Sequence, residues 1–429
     1  MDDDGGEPTG AVAVPFDETV PADEMVSSDE TVPDQMVSDA GSAGVGFAPE
    51  VVARLRAYVY LLVDPRTGRP FRVGRGKGDR CFRDLATLRA GTGDDADRVR
   101  AVEASGRTIE ISSPDKVYFP ELGATKFDLA TYYVEMAAAL DVTAAGRPAM
   151  LQRFPEGAGG NSFFQKRVPQ NAPSWLQTTD VTTPNGTRSN ALVVADVAHV
   201  LWAVNLGCLG LHLWPYRADD PAHADELRID LDPQPGVSFD AVRVAAGHVR
   251  SLLGELGIEG YAKTSGNRGI HVYVRLQSAW DSFEVRAGAI ALARELERRY
   301  PDLITAQWWK EERGARVFVD FNQNAPHKTV FGAWFARPRV GGQVSTPLLW
   351  DEVDSIDPDA LTIATVPELV RRRGDPWVHM ADEPQSLLPL LAMAKRDRAN
   401  GLHDAPWPPE YPKQPDEPSR VAPSRAKKA

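Results

Sequence analysis

Three aspartates that follow apolar runs are the residues of this sequence best placed to do chemistry. Asp230 and Asp232 lie in the stretch RIDLDP (228–233), and Asp320 ends the run VFVD in ARVFVDFNQN (315–324). The alternation in RIDLDP is typical of a β-strand, in which side chains at i and i+2 project from the same face. Two carboxylates held that close repel each other unless a cation lies between them. The spacing therefore predicts that this pair faces a cation.

A glycine-containing turn lies between the two acidic runs, in the stretch KTSGNRGIHVYV (263–274). Its glycines, Gly266 and Gly269, allow backbone N–H groups to approach an anion closely. Its polar side chains supply further hydrogen-bond donors: Ser265, Arg268 and His271. Three carboxylates beside such a turn suit phosphoryl chemistry, in which two divalent cations stabilise the attacking and leaving oxygens. Oxygen ligands favour Mg²⁺ or Mn²⁺ over zinc.

Each of these features has a simpler explanation when it is taken alone. Two alternating aspartates are often only an exposed acidic edge, and a Ser-Gly turn is often only a turn. A single histidine such as His271 is often a satisfied, partly buried side chain. The order of the three features along the chain, and not any one of them, indicates a catalytic site.

Strands and amphipathic helices alternate around these residues. Helices are predicted where apolar residues recur at intervals of three and four, at 126–140, 239–257 and 285–301. Strands are predicted at five apolar or alternating runs: 107–112, 191–196, 226–232, 270–276 and 315–321. This pattern predicts an α+β (mixed α/β) body over 108–405, with a central mixed sheet flanked by helices.

Acidic residues are concentrated near the N-terminus, which changes the meaning of the net charge of −12. Residues 1–50 hold 13 of the 60 acidic residues and none of the 48 basic residues, so the remainder is nearly balanced. This segment is predicted to be a disordered acidic tail, and residues 406–429 are predicted to be a flexible, Pro-rich and basic tail. A balanced body leaves nucleic acid open as a partner.

The composition argues against membrane-spanning, secreted and disulfide-rich classes. No apolar run approaches the ~18–20 residues of a membrane span. The N-terminus is acidic, unlike a signal peptide. Cys81 and Cys208 are the only cysteines, too few for a disulfide framework or a cysteine-based zinc site. We therefore expect a cytoplasmic protein, associated with the nucleoid if DNA is its partner.

Residues 57–105 resemble part of a GIY-YIG nuclease domain. Two strands are predicted at 57–64 and 71–74, joined by a turn and followed by a helix. The residues that match the family's motifs are Tyr58-Val59-Tyr60, Arg72-Val73-Gly74 and Arg80. Arg72 stands where the family has a tyrosine, so a structural or DNA-contacting hairpin is favoured over an active nuclease.

The main body resembles the archaeo-eukaryotic primase superfamily and is most similar to the polymerase domain of bacterial ligase D. The resemblance covers 108–405 and rests on three motifs in order: DLD (230–232), SGNRGIH (265–271) and VDFNQN (319–324). Three further stretches match: SPDKVYFPELGATK (113–126), FFQKRVPQNAP (163–173) and GLHLWPYR (210–217). The fold that it implies is the primase-polymerase fold.

The resemblance also implies roles for the residues at the matching positions. The metal-binding residues are Asp230, Asp232 and Asp320. The triphosphate of the incoming nucleotide is held by Ser265, Arg268 and His271. Further positions of the nucleotide site are Arg313, Gln323 and Arg337.

On the DNA side, the resemblance implies that Lys116 and Lys126 bind a 5′-phosphate. It also implies that Phe163 and Phe164 stack on the template, with Arg153 and His212 near the template and the active site. The residues alone favour other roles, namely core packing for both phenylalanines and solvated positions for both lysines. Gln152 stands where the family commonly has a lysine, which predicts a weaker phosphate contact.

The implied activity is template-directed nucleotidyl transfer to a 3′-OH at DNA ends or gaps, with two divalent cations, Mn²⁺ or Mg²⁺. The implied partners are NTP or dNTP and DNA with a 5′-phosphorylated gap or break. Because no KxDG ligase signature occurs, Ku and a DNA ligase are expected to act in trans. The alternatives are a non-catalytic DNA-end-binding module, a metal-dependent hydrolase, and a primase of replication or damage tolerance.

Overall fold

The computed structural model describes residues 58–64, 69–76, 109–422 and 424. Its first two strands, β1 (Tyr58–Asp64) and β2 (Arg69–Gly76), pair antiparallel, and β1 also pairs with β3 (Glu110–Ile111). The predicted hairpin is therefore confirmed. The acidic tail of 1–50, Arg80 and the helix predicted around it lie outside the described residues.

Five strands form the sheet that carries the three aspartates. Their order is β12 (Tyr261–Thr264), β13 (Ile270–Arg275), β11 (Glu226–Pro233), β15 (Val317–Asp320) and β14 (Ile304–Thr305). All neighbours are antiparallel except β14 and β15, which are parallel, so the predicted mixed sheet is confirmed. Residues 226–229 of β11 are buried, whereas Asp232 near its end is exposed. The sheet thus opens to solvent where the carboxylates begin.

A second sheet carries four of the predicted DNA-side residues, Arg153, Phe163, Phe164 and His212. Its path is β16 (Val330–Phe331), β10 (Cys208–Leu213), β6 (Arg147–Arg153), β9 (Arg188–Val194) and β8 (Thr178–Thr182), with β7 (Phe163–Gln165) paired to β6. A two-stranded hairpin, β4 (Val117–Phe119) and β5 (Ala124–Thr125), precedes the first helix. Arg147 of β6 forms buried ion pairs with Asp225 and Glu226, which connect the two sheets.

Eight α-helices occur among the described residues. They are α1 (Lys126–Glu135), α2 (Ala137–Ala144), α3 (Val197–Asn205), α4 (Phe239–Glu255), α5 (Ser282–Arg299), α6 (Lys310–Arg313), α7 (Val366–Arg373) and α8 (Leu388–Ala399). None of the helices in this part of the chain is long and apolar enough to cross a membrane. The helices predicted at 239–257 and 285–301 are confirmed as α4 and α5. The buried face of α4 repeats at intervals of three and four: Val242, Ala245, Ala246, Val249, Leu252 and Leu253.

The helix predicted at 126–140 is two helices. Thr125 and Asp128 form a capping box that begins α1. Met136, with φ −90° and ψ 5°, lies outside the helical region, so α1 ends before it and α2 begins after it. The periodic apolar pattern continues through this break, which explains why the sequence predicted a single helix.

The prediction of a flexible segment from residue 406 is wrong for its first part. Trp407 and Tyr411 are buried, and the ring of Trp407 lies 3.9 Å from the guanidinium carbon of Arg286 in α5. Glu417 accepts a hydrogen bond from the backbone N–H of Trp407 and pairs with Arg420. Burial of two large aromatic rings offsets the ordering entropy that the proline content suggested would dominate.

Candidate active site

The three aspartates lie on one face of the five-stranded sheet. Asp230 of β11 is the register partner of Asp320 of β15, and residues directly opposite each other in an antiparallel pair project from the same face. Asp232 lies two positions further along β11 and therefore shares that face. Since β15 ends at Asp320, the strand pairing places all three carboxylates at one end of the sheet.

His271 supports Asp230 from the other neighbouring strand. The two residues are register partners, and His271 Nε2 lies 3.3 Å from Asp230 Oδ1. Burial lowers the pKa of His271 well below its usual value, and the charges of Lys263 and Arg337 lower it further. A neutral ring that donates Nε2–H to Asp230 leaves Nδ1 without a hydrogen-bond partner among the described residues. A neutral imidazole orients this carboxylate but does not balance its charge.

Asp320 is held by the short 3₁₀ helix that follows it. Its Oδ1 accepts a hydrogen bond from the backbone N–H of Asn322 at 3.0 Å, and its Oδ2 accepts one from Gln323 Nε2 at 3.0 Å. Gln323, predicted as a nucleotide-site residue, therefore contacts a predicted metal ligand directly in this structure. The carboxylate is oriented before any ligand binds.

The SGNRG turn is built around the Ser265 hydroxyl. Ser265 Oγ accepts hydrogen bonds from the backbone N–H groups of Asn267 (3.1 Å) and Gly269 (3.0 Å), and the side chain is buried. A Cβ at position 269 would lie 2.7 Å from the Leu231 carbonyl oxygen, so only glycine allows this approach to β11. Arg268, in contrast, is exposed and extends from the turn.

The two remaining predicted nucleotide-site arginines are packed on aromatic rings. Arg313 Cζ lies 3.5 Å from the Phe318 ring centre, and Arg337 Cζ lies 3.9 Å from the Phe331 ring centre. Arg337 Nε donates to the carbonyl oxygen of Ser265 at 2.6 Å, which ties it to the turn. Burial lowers the pKa of Arg313, and the negative charges of Asp320 and Asp232 oppose that shift.

The predicted phosphate-binding lysines are brought together by the β4–β5 hairpin. The backbone N–H of Lys126 donates to the carbonyl of Lys116 at 2.8 Å. Lys116 Nζ lies 2.9 Å from Glu156 Oε2. Lys126 is buried, and its Nζ donates to the backbone and side-chain oxygens of Asn205 at 2.8 and 3.1 Å. Burial, together with the charges of Lys116 and Arg153, lowers the pKa of Lys126 to about 8.

The solvated position that the residues alone suggested is therefore wrong for Lys126 and incomplete for Lys116. Lys126 is the first residue of α1 and follows the hairpin directly, so its aliphatic stem packs into the body of the domain. A buried ammonium beside a second lysine forms a local concentration of positive charge. This arrangement can attract an anion.

Phe163 and Phe164 are both exposed, so the core packing that the residues alone favoured is wrong. These residues are 47% and 50% exposed on the short strand β7, whose three residues pair with residues 151–153 of β6. The Phe163 ring lies 5.0 Å from Arg153 Cζ, and the Phe164 ring lies 5.6 Å from the ring of His212. Burial, together with the charge of Arg337, lowers the pKa of His212 to about 3. The phenylalanines thus rest on residues predicted to lie near the template.

Gln152 lies between these groups. It is buried, and its amide lies 3.4 Å from His212 Nε2 and 3.5 Å from Ser162 Oγ. Gly210 lies against it, since a Cβ at position 210 would be 2.9 Å from the Gln152 side chain. A neutral amide at this buried position avoids the desolvation of a second cation beside Arg153.

Lys263 is a site residue that the sequence did not assign. It is fully buried, is the register partner of His271, and donates from Nζ to Ser345 Oγ at 2.7 Å. Burial lowers its pKa well below the usual value, and Arg337 lowers it further, whereas Asp230 raises it. Its position just before the SGNRG turn could have indicated a site residue, but a lysine at a strand end usually indicates a surface position.

The three carboxylates suit a hard divalent cation by their chemistry. Oxygen-only donors on one face, one of them exposed at Asp232, match the ligands that Mg²⁺ and Mn²⁺ prefer. The side chains do not converge on a point, because no group of three His, Cys, Asp or Glu residues in the described ranges is arranged to hold a metal ion. The backbone pairing thus supplies the set of oxygen donors.

The fold and this site define a primase-polymerase domain. The chain belongs to the LigD primase-polymerase domain family, whose model matches residues 125–377. Over 317 residues the chain is 32% identical to the multifunctional non-homologous end joining protein LigD of Mycolicibacterium smegmatis, covering 71% of this chain and 40% of that protein. It is 30% identical over 279 residues to the bifunctional non-homologous end joining protein LigD of Bacillus subtilis, covering 65% and 45%.

A solved structure has the same fold. The polymerase domain of Mycobacterium tuberculosis ligase D in complex with DNA matches with a TM-score of 0.61 and 29% identity, covering 65% of this chain and 99% of that chain. This chain therefore spans less than half the length of the curated relatives but nearly all of a polymerase domain. The matched region begins at residue 125, so the GIY-YIG resemblance of 57–105 gains no support from the family model.

Proposed function

We propose that this protein catalyses template-directed transfer of nucleotides to a 3′-OH at DNA ends or gaps, in end-joining repair. The observation that carries the proposal is the register pairing of Asp230 with Asp320, which brings carboxylates from two distant motifs to one face. A DNA-binding module without turnover has no need of three like charges at that position, because they would repel the DNA backbone.

The proposed substrates bind at two surfaces. The nucleotide binds beside the three aspartates and the SGNRG turn, and the DNA binds at the second sheet. Asp230, Asp232 and Asp320 would hold two divalent cations, Mn²⁺ or Mg²⁺. When bound, such cations lower the pKa of the attacking 3′-hydroxyl and offset the charge on the leaving pyrophosphate. His271 keeps the Asp230 carboxylate oriented toward this site.

The incoming NTP or dNTP would bind along the SGNRG turn. The exposed guanidinium of Arg268 is available to the triphosphate, and charged hydrogen bonds of this kind are short and strong. Ser265 shapes the turn through its hydroxyl, and His271 follows the turn in β13. Arg337 ties the turn to the second sheet, because it donates to the Ser265 carbonyl and packs on Phe331. Arg313 adds positive charge near Asp232 and Asp320.

The DNA would approach the second sheet. Phe163 and Phe164 offer exposed aromatic faces on which unpaired template bases stack, an interaction of ~1–3 kcal/mol per base. Lys116 and Lys126 would receive the 5′-phosphate of a gap or break. Ku and a DNA ligase acting in trans are the implied partners, and action on chromosomal DNA would place the protein in the cytoplasm at the nucleoid.

The test is primer extension on a gapped duplex that carries a 5′-phosphate, with Mn²⁺ or Mg²⁺ and with NTPs or dNTPs in separate reactions. We expect templated addition of nucleotides to the 3′ end of the gap. Binding of the duplex without extension under any of these conditions would favour the DNA-end-binding alternative. Release of nucleotides from the primer would favour a hydrolase.

A further inference from the structure

One arginine connects the candidate active site to a segment near the C-terminus. Arg286 of α5 is 1% exposed, and its Nη1 donates to Asp404 Oδ1 at 2.8 Å. Its Nη2 donates to the carbonyl oxygens of Ala405 and Pro406 at 3.0 and 3.2 Å. The ring of Trp407 covers the guanidinium, 3.9 Å from its carbon. We call residues 404–407 the strap.

The remaining donor of the same guanidinium, Nε, faces the 3₁₀ helix Phe321–Asn324 that follows Asp320, which we call the active-site helix. Arg286 Nε donates to Asn322 Oδ1 at 2.7 Å, and Asn322 Nδ2 donates to the Pro406 carbonyl at 3.3 Å. Asn322 is buried, and its backbone N–H is the donor that holds Asp320 Oδ1 at 3.0 Å. A continuous series of hydrogen bonds therefore runs from the strap through Arg286 and Asn322 to Asp320.

Only an arginine can make both sets of contacts at once. Its planar fork carries five donors in a fixed geometry, so Nε can serve the active-site helix while both Nη atoms serve the strap. The strap is itself anchored, because Trp407 Nε1 donates to Asp404 Oδ2 at 2.8 Å and Trp407 N donates to Glu417 Oε1 at 2.8 Å. Loss of Trp407 would leave the buried charge of Arg286 without its cover.

We propose that the strap positions Asp320 for metal binding, acting through Arg286 and Asn322. Asn322 and Arg286 are positioning residues, since neither would touch the cation, and contacts of this kind orient the groups that do. The strap lies beyond residues 125–377, the region that the family model matches. The inference rests on the proposed function, in which Asp320 is a metal ligand.

The test compares four variants by Mn²⁺ binding, measured from the electron paramagnetic resonance signal of the free ion, and by gap-filling kinetics. Trp407→Ala should weaken Mn²⁺ binding about tenfold and lower kcat similarly, as is usual for residues that orient metal ligands. The KM for gapped duplex should not change, because the strap is remote from Phe163 and Phe164 in its contacts. Trp407→Phe keeps an aromatic face over Arg286 and should restore most of the Mn²⁺ affinity.

Arg373→Ala is the matched control for lost stability. Arg373 is also a largely buried arginine, but it pairs with Glu352 and donates to the Pro347 carbonyl instead of the active-site helix. It should lower Tm as Trp407→Ala does and leave Mn²⁺ affinity at the wild-type value. Asn322→Ala removes the side chain that connects Arg286 to the active-site helix, and it should reproduce the Mn²⁺ effect of Trp407→Ala.

Three results would overturn the proposal: wild-type Mn²⁺ affinity in Trp407→Ala, an equal loss of Mn²⁺ affinity in Arg373→Ala, or a wild-type protein that binds no Mn²⁺. A wild-type protein that binds Mn²⁺ but extends no primer would overturn the proposed function instead. In that case the Mn²⁺ measurements on the variants would still decide the role of the strap.

Discussion

Asp230 and Asp320 are directly opposed across the antiparallel strands β11 and β15. Cβ atoms of opposed residues in such a pair lie about 4.5–5.5 Å apart, close enough for two carboxylates to repel each other. His271 orients Asp230, and the backbone N–H of Asn322 orients Asp320, but neither is a cation at neutral pH. The two carboxylates therefore repel each other, and a cation bound between them would reduce that repulsion.

The first prediction concerns this repulsion. Asp230→Asn should raise Tm in the absence of metal, because it removes one like charge while keeping an oxygen for His271 Nε2. The same change should abolish both the Mn²⁺-dependent rise in Tm and primer extension, with duplex affinity near wild type. Differential scanning calorimetry with and without Mn²⁺, together with the gap-filling assay, measures both effects.

Asp219→Asn, which removes an exposed charge elsewhere, is the control. It should leave the Tm without metal, the Mn²⁺-dependent rise in Tm and primer extension unchanged. Substantial extension by Asp230→Asn, or by Asp320→Ala, would exclude a mechanism that depends on these three carboxylates.

The second prediction concerns the nucleotide. Arg268→Ala should raise the KM for NTP about tenfold or more, because an exposed guanidinium on the turn is lost from the triphosphate. The affinity for gapped duplex should remain within about twofold of wild type. Steady-state kinetics at saturating DNA measure the first quantity, and fluorescence anisotropy measures the second. The exposed Arg188 provides a control, and an unchanged KM in Arg268→Ala would leave the turn a purely structural role.

The third prediction concerns the 5′-phosphate. Wild type should bind a gap with a 5′-phosphate more tightly than one with a 5′-OH, and Lys116→Ala/Lys126→Ala should lose only that difference. Because burial holds the pKa of Lys126 near 8, its ammonium loses its proton as pH rises through that value. The preference should therefore be full at pH 7 and should decline by pH 9, and added salt should also reduce it.

Paired binding curves on the two duplexes at pH 7, 8 and 9 test this expectation. Lys116→Ala alone should keep a pH dependence, because Lys126 still titrates, but its midpoint should move to higher pH, since Lys116 is one of the charges that lower the pKa of Lys126. Equal binding of both ends by wild type would remove the end-joining assignment and favour a general priming role.

The fourth prediction concerns the template. Phe163→Ala/Phe164→Ala should weaken binding to a gap with unpaired template bases by ~1–3 kcal/mol per stacked base. It should leave the free energy of unfolding nearly unchanged, because both rings are about half exposed. Val244→Ala, at another exposed apolar position, should change neither quantity. A large loss of stability without a loss of template binding would mean that the rings serve the fold.

The fifth prediction concerns the fold beneath the site. Asn324 is buried, and its side chain bonds both the N–H (2.8 Å) and the C=O (2.7 Å) of Arg228 in β11. Asn324→Ala would leave both backbone groups without these partners, which should lower the free energy of unfolding by ~2–4 kcal/mol. Urea denaturation measures the change. Asn185→Ala, at an exposed turn, should cost less than about 1 kcal/mol.

The sequence alone predicted the chemistry-bearing motifs, because strand and turn signals are local. Alternation around Asp230 and Asp232, the glycines of the SGNRG turn and the apolar run before Asp320 each depend on neighbouring residues only. The same locality predicted helices α4 and α5 and the strands around them. It also predicted one helix at 126–140, where Met136 interrupts the backbone without interrupting the apolar pattern.

The tertiary structure decided which of these residues meet and which are buried. The register that opposes Asp230 to Asp320 joins segments about 90 positions apart, and no local pattern specifies such pairing. Burial of Lys126 and Lys263, and exposure of Phe163 and Phe164, follow from which elements cover them, not from residue type. The first part of the proline-rich segment after residue 405 packs on the body for the same reason: Arg286, more than 100 positions earlier, supplies the surface on which Trp407 packs.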